Sequence, residues 1–310
     1  MTPVRKAVIT AAGKGTRQYP ATNAVKKELF PLVDRDGITK PTLQIIIEEA
    51  LAAGVEEICL VVQPGDEPKF RQHFQGLSDE MLPFFKGKEW ALAQSQRLVD
   101  IGRRLHFVTQ EVQEGYGHAV FCSRNWVGDE PFLLLLGDHV YISKTETRCT
   151  RQLVEIFLRY QKSMNALQQT PEDQLFLFGT ATGKKLGDHP ATYDLTLIKE
   201  KPDVHFARQR LHTEGLPEGV YLCHFGMHVF TPGIFDAIEY HIKNDIREKG
   251  EIQLTNAQEL LRQWEGTIGV EIDGERHDMG TPLGYIETQL ALAWHSGYQE
   301  GVRAILERLP

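Results

Sequence analysis

The chain has 310 residues, 41% of them hydrophobic, with 34 lysines and arginines against 42 aspartates and glutamates. That length can bury a large core, and the net charge of −8 argues against a generalised nucleic-acid or anionic-membrane surface, so any phosphate affinity must be local. No apolar stretch approaches the ~20 residues needed to cross a bilayer and the N-terminus carries no hydrophobic leader, which predicts a soluble, cytoplasmic protein. Cys59, Cys122, Cys149 and Cys223 are widely spaced and form no Cys-x-x-Cys pair. Reduced, mostly buried thiols are expected, with neither a zinc site nor a disulfide framework.

The first element is the apolar run Ala7-Val8-Ile9, short enough for a strand covered on both faces of a parallel sheet. It leads into Gly13 and Gly15, where a missing Cβ lets the backbone approach a ligand and point N–H groups at phosphate oxygens. Arg17 adds a forked cation suited to phosphate and Lys27 a compact one. The glycines alone would equally make a tight turn. Helical spacing follows from Thr42 to Leu51, ended by Gly54, and Glu57 to Val62 reads as the next strand, completing a βαβ unit. Residues 66–100 predict helices flanking the sheet, and 105–109 and 131–136 two further strands. Strands 175–180, 195–199 and 221–230, separated by turn-rich sequence, predict an inserted β region placed beside the main sheet. Residues 289–309 predict an amphipathic helix suited to a homo-oligomer interface or, equally, to core packing. The fold expected is α/β, a Rossmann-like, mixed, mainly parallel sheet flanked by helices with a small inserted β region, its motifs converging at the carboxyl ends of the strands.

The glycines fit neither the dinucleotide fingerprint, which needs a third glycine, nor a P-loop, which needs a closing Gly-Lys-Ser or Gly-Lys-Thr. Gly13-Lys14-Gly15-Thr16-Arg17, then Pro20-Ala21-Thr22 and Lys27-Glu28-Leu29-Phe30-Pro31, instead resembles the signature of the sugar-1-phosphate nucleotidyltransferases. Among these it is most similar to the bacterial UTP:glucose-1-phosphate uridylyltransferases. Further blocks recur in order: Gln110 with Gly115-Tyr116-Gly117-His118, Leu136-Gly137-Asp138, Glu200-Lys201-Pro202, Gly250 to Thr255, and Asp278-Met279-Gly280. The resemblance implies one nucleotidyltransferase domain over 1–310, with approximately 1–145 binding nucleotide, 146–285 binding sugar and 286–310 forming a C-terminal helix.

Asp138 follows four leucines, so it emerges from a buried strand where a carboxylate is expensive unless it meets a cation. Magnesium, commonly held by one or two carboxylates plus substrate phosphates, would satisfy it, and the resemblance supplies Asp278 as the second ligand. A turn-capping role for Asp138 is the plainer alternative. The family often has two consecutive aspartates where this chain has Asp138-His139. His139 could stand near the metal, donate to substrate or simply pack, and packing is the expectation. Gln110 offers the acceptor and donors that match the edge of uracil or thymine, although read alone it is an exposed strand-end residue. The resemblance adds Gly117 and the backbone of Ala11, Ala12 and Gly13 to the base and ribose pocket.

The resemblance also implies that Glu200 binds sugar hydroxyls and Lys201 the sugar phosphate, with Gly179 beside them. Segment 183–190 does not follow the family pattern and is expected to alter sugar choice. Glu251 has two readings, capping the next helix or binding a hydroxyl. The activity implied is Mg²⁺-assisted transfer of a uridylyl group from UTP to glucose 1-phosphate, by in-line attack on the α-phosphorus, with Arg17, Lys27 and Lys201 carrying the phosphate charge. The alternatives are a thymidylyltransferase or other sugar-1-phosphate nucleotidyltransferase, or a weakly catalytic protein that binds nucleotide sugar as a regulator.

Overall fold

The computed structural model describes residues 2–188 and 190–309, and His189 of the divergent 183–190 segment lies outside them. The strands in chain order are β1 (Lys6–Ala11), β2 (Pro31–Val33), β3 (Thr39–Pro41), β4 (Glu57–Val62), β5 (Leu105–Thr109), β6 (Phe132–Leu136) and β7 (His139–Ser143). They continue as β8 (Met164–Pro171), β9 (Thr180–Asp188), β10 (Ala191–Lys199), β11 (Val220–Phe230), β12 (Ile268–Glu271) and β13 (Gly274–Asp278). Among the described residues nine strands form one mixed sheet in the order β5-β4-β1-β6-β11-β8-β12-β10-β9. β5, β4, β1 and β6 are mutually parallel, and β11 joins β6 antiparallel. Two small pairs, β2 with β3 and β7 with β13, lie outside this sheet.

The apolar runs of β1, β4 and β6 are continuous because both faces of the sheet are covered. Ala7, Ile9, Ile58, Leu60, Leu133 and Leu135 pack with Leu43, Ile46 and Ile47 of the helix Thr42–Ala52 and Phe157 of the helix Cys149–Tyr160. Val8, Cys59, Val61 and Leu134 alternate to the other face, against Ile234 and Ile238 of the helix Gly233–Lys243 and Leu261 of the helix Leu254–Glu265. Such strands cannot slip by one residue without exchanging the two faces. Their carboxyl ends therefore come level, with Ala11 opposite Val62 and Thr10 opposite Leu136.

Three expectations change. The predicted strand 175–180 is a 3₁₀ turn, Glu172–Leu177, and the strand begins only at Thr180. Glu172 and Asp173 suit the positive end of a helical turn, and Leu175 alone is buried while Phe176 and Leu177 face out. The β region is not set beside the main sheet but continues it: β9 pairs with both β10 and β11, closing β11, β8, β12, β10 and β9 into a ring around Leu167, Leu195 and Leu222. The terminal helix is two helices, Pro282–Trp294 and Gln299–Leu306, parted where the Ser296 hydroxyl donates to Ala293 O and accepts from Tyr298 N–H. The second buries none of its residues, so core packing does not explain it. Three of the four cysteines are buried, and none is in a disulfide. No helix of the described residues is long and apolar enough to cross a membrane.

Candidate active site

A cleft of about 970 Å³ opens at the carboxyl end of β6 and extends over β11 to Gly179, Glu200 and Lys201, the residues just before β9 and just after β10. The pairing of β7 with β13 creates its centre, because it sets Asp278 opposite His139 and so brings Asp138 and Asp278 together from distant points in the chain. Met279 N–H donates to Asp138 O at 3.1 Å, and the buried Gln18 amide donates to Met279 O at 2.8 Å, tying the glycine loop to the same corner. Ligand atoms of Asp138, His139 and Asp278 lie within 4.8 Å of one another. A Cβ on Gly280 would fall 2.6 Å from Arg17 Nη2, 2.8 Å from Asp278 Oδ1 and 3.1 Å from Asp138 Oδ2. Glycine there leaves open the point on which two carboxylates and a guanidinium converge. Two carboxylates at one opening fit a hard divalent cation.

Asp138 is 8% exposed and paired. Its Oδ2 accepts from the Lys27 ammonium in a close ion pair, and its Oδ1 lies 3.1 Å from His139 Nδ1. Burial alone would raise the Asp138 pKa, but Lys27 and His139 outweigh it and hold the carboxyl well below the usual range. His139 therefore contacts the aspartate rather than merely packing. Burial works against the Lys27 charge as well, and Asp138 and Glu28 reverse it, so the ammonium is held more firmly than usual. Arg17 is more exposed and stands 4.0 Å from Asp278.

Glu28 was not anticipated. It is 1% exposed, 3.8 Å from Lys27 Nζ, and its Oε2 has no hydrogen-bond partner among the described residues. Burial pushes its pKa up to about 7, against the pull of Lys27. Folded Glu28 thus keeps its proton where the unfolded chain, releasing near ~4.3, has lost it. Its contribution to stability is full below the unfolded pKa and is lost as pH rises through about 7. The unfolding free energy of Glu28→Gln minus that of the native chain is accordingly expected to grow between pH 4.5 and 8 ~ by more than 1 kcal/mol per unit of pKa shift. Denaturant titrations across that range check it, and a flat difference rules out the raised pKa.

Just beyond β5 Gln110 is 3% exposed, not exposed as its isolated reading had it. Its amide donates to Gly115 O at 3.2 Å and lies 3.1 Å from His118 Nδ1. Gly117 N–H donates to Ile252 O at 2.9 Å, so this loop rests on the segment before the helix Leu254–Glu265. Gln63 and Gln113, which the sequence did not single out, both donate to Ala12 O at 2.9 Å and fix the backbone of Ala11, Ala12 and Gly13. Gly15 adopts φ 65°, and its carbonyl accepts from the Thr22 hydroxyl at 3.1 Å.

At the other end Glu200 and Lys201 follow β10. Glu200 Oε2 accepts from the Thr255 hydroxyl at 2.6 Å, and Oε1 is 3.7 Å from Lys201 Nζ. Lys201 has φ 38°, rare outside glycine, and its N–H donates to Phe178 O at 3.2 Å. Gly179 lies between Glu200 and His224 of β11, and the guanidinium of Arg276 of β13 sits 3.5 Å over the Phe178 ring and donates to His224 O. Burial brings the Arg276 pKa down to about 10, which leaves it charged at neutral pH. Glu251 does not cap the helix. Gln253 holds the cap position, and the Glu251 carboxylate accepts from the Gln253 amide at 3.1 Å. No described residue of 183–190 lines the cleft, so the expected influence on sugar choice has no direct contact behind it. His224, Arg276 and Thr255 escaped the sequence reading. The two histidines four apart in an otherwise apolar strand were the available signal, since they share a face.

The sheet order and this corner of carboxylates and cations at the strand ends define a class, and the family model for nucleotidyl transferase matches residues 6–294. A UTP–glucose-1-phosphate uridylyltransferase of Bacillus subtilis (strain 168) is 36% identical over 300 residues, covering 94% of this chain and 92% of its own. One from Staphylococcus saprophyticus is 33% identical over 298 residues, 96% and 95% of the two chains. A crystal structure of UDP-glucose pyrophosphorylase complexed with UDP-glucose superposes with TM-score 0.73 at 27% identity, covering 93% of this chain and 98% of that one. The chain belongs to the UTP–glucose-1-phosphate uridylyltransferase family of nucleotidyl transferases.

Proposed function

We propose that this enzyme transfers the uridylyl group of UTP to glucose 1-phosphate, releasing pyrophosphate and UDP-glucose. The observation that carries this reading is the Asp138–Asp278–Lys27–Arg17 corner at one end of the cleft, with Glu200 and Lys201 at the other. A phosphate oxygen of the sugar phosphate attacks the α-phosphorus in line as the bond to the β-phosphate breaks. That oxygen is already a nucleophile, so no general base or covalent intermediate is needed, and catalysis rests on positioning and charge neutralisation.

Lys27 and Arg17 stabilise the triphosphate and the departing pyrophosphate, and Lys201 orients the sugar phosphate. Asp138 and Asp278 would hold Mg²⁺, which when bound neutralises phosphate charge and aligns the two substrates. Gln110, Gly117 and the Ala11–Gly13 backbone, with Gly15 at the phosphates, form the base and ribose pocket. Uracil and thymine differ by one methyl, worth only ~1–3 kcal/mol in an apolar pocket, so the deciding experiment compares nucleotides. Pyrophosphate release is measured from UTP, dTTP, ATP, CTP and GTP with glucose 1-phosphate and Mg²⁺. Preferential release from UTP supports the reading; preference for dTTP makes this a thymidylyltransferase, and no release with nucleotide-sugar binding intact makes it a binder.

Gly179→Ala provides a separate check on the sugar side. Its Cβ would lie 2.7 Å from His224 Nδ1 and 3.2 Å from Glu200 Oε2, closer than real Cβ contacts allow at the first. KM for glucose 1-phosphate is expected to rise about tenfold or more while KM for UTP stays put. Equal rises in both would move Gly179 out of the sugar pocket.

A further inference from the structure

Gly179, Glu200 and His224 line one stretch of the cleft, and the absence of a side chain on Gly179 leaves the polar atoms of the other two facing it. These are His224 Nδ1 and Glu200 Oε2. The His224 backbone is fixed on both sides, its N–H donating to Gly179 O at 2.8 Å and its carbonyl accepting from Arg276, while its imidazole meets that of His228 in a T-shaped contact at 5.3 Å. It is nine-tenths buried and lines the cleft, and its Nε2 has no partner among the described residues. Burial, helped by the Arg276 cation, brings its pKa down to about 3, so it is neutral and presents one N–H and one lone pair. A neutral ring cannot serve as a phosphate cation, but its Nδ1, the atom that faces Gly179 and Glu200 Oε2, can hydrogen-bond a neutral polar group in the cleft.

We propose that His224 determines sugar specificity, reading one hydroxyl of the hexose together with Glu200: the hydroxyl donates to the Glu200 carboxylate and accepts from His224 Nδ1–H. A hydroxyl is the small group able to do both at once, whereas a missing hydroxyl leaves both partners unmet and a bulkier substituent meets the wall at Gly179. This rests on the uridylyl-transfer reading above.

The test is kcat/KM for glucose 1-phosphate and its 2-, 3-, 4- and 6-deoxy analogues with the native enzyme, His224→Leu and His224→Asn. His224→Leu is expected to raise KM for glucose 1-phosphate about tenfold to a hundredfold with KM for UTP unchanged. It should also abolish discrimination against one deoxy analogue only, and His224→Asn, which keeps a donor near the Nδ1 position, should restore part of it. A uniform loss over all five sugars, or unchanged ratios, overturns the proposal. Calorimetric titration of UDP-glucose and its deoxy analogues reads the same contrast without turnover. Failure of native catalysis would therefore count against uridylyl transfer and leave His224 still decided by binding. If His224→Leu does not fold, His224→Asn and Glu200→Gln carry the comparison, and additive rather than coupled losses in their double variant overturn it.

Discussion

Asp138→Asn is expected to lower kcat about a thousandfold while leaving the protein folded. Asparagine keeps the shape of the side chain, so Met279 N–H retains its bond to the residue 138 carbonyl and the β7–β13 pairing stands. What disappears is the charge. Asp138 is the more buried of the two carboxylates at the Gly280 opening, and an amide there offers a divalent cation one neutral oxygen in place of an anionic one. A loss of several kcal/mol in transition-state charge stabilisation corresponds to about three powers of ten in rate. Steady-state pyrophosphate release over a range of Mg²⁺ concentrations, with circular dichroism as control, measures it. Turnover within tenfold of native at saturating metal would sink the assignment of Asp138 as metal ligand.

Lys27→Ala should cost about a hundredfold to a thousandfold in kcat with KM for UTP changed little. Its ammonium is rigidly placed by Asp138 and Glu28, the preorganisation that matters most when charge develops on the leaving pyrophosphate. The substitution also strips two buried carboxylates of their counter-charge, which elsewhere destabilises a fold by ~3–5 kcal/mol. Here Glu28, already poised near neutrality, can take up a proton and soften the loss. The variant is therefore expected to fold, with Glu28 carrying a proton near pH 8 in place of the one lost with the Lys27 ammonium, and to turn over slowly. Native kcat with a raised KM would mean that Lys27 binds substrate and transition state alike, contrary to its assigned role.

Much of the nucleotide end was legible in the sequence because β1, β4 and β6 are unbroken apolar runs, and each is followed by a residue type that a doubly covered strand does not otherwise need. Asp138 after four leucines and Gly13 and Gly15 after β1 are of this kind. β8 was not legible: Met164 to Pro171 carries Asn165, two glutamines and Thr170, and it is a strand only because Asn165 finds His228 and Gln258 inside the fold. The meeting of Asp138 with Asp278 was reached through resemblance, and its physical cause, the register of β7 on β13, has no local signature in either segment. Glu28 stayed hidden because a Lys-Glu pair usually marks solvated surface. Its burial comes from residues distant in the chain, Gly137 among them, where an added Cβ would fall 3.4 Å from Glu28 Cγ.

β11 pairs with β6, β8 and β9 at once. It is a shared beam: β6 leads directly into Asp138, Gly179 immediately precedes β9, and β11 carries His224. Between the part of β11 that pairs with β9 and the part that pairs with β6, its register against β8 shifts and Gly226 takes φ 89°, so the two ends of the cleft share one strand that is jointed at that point. A change in the span of the cleft would have to bend β11 at Gly226, which makes that glycine the point where the two ends answer to each other.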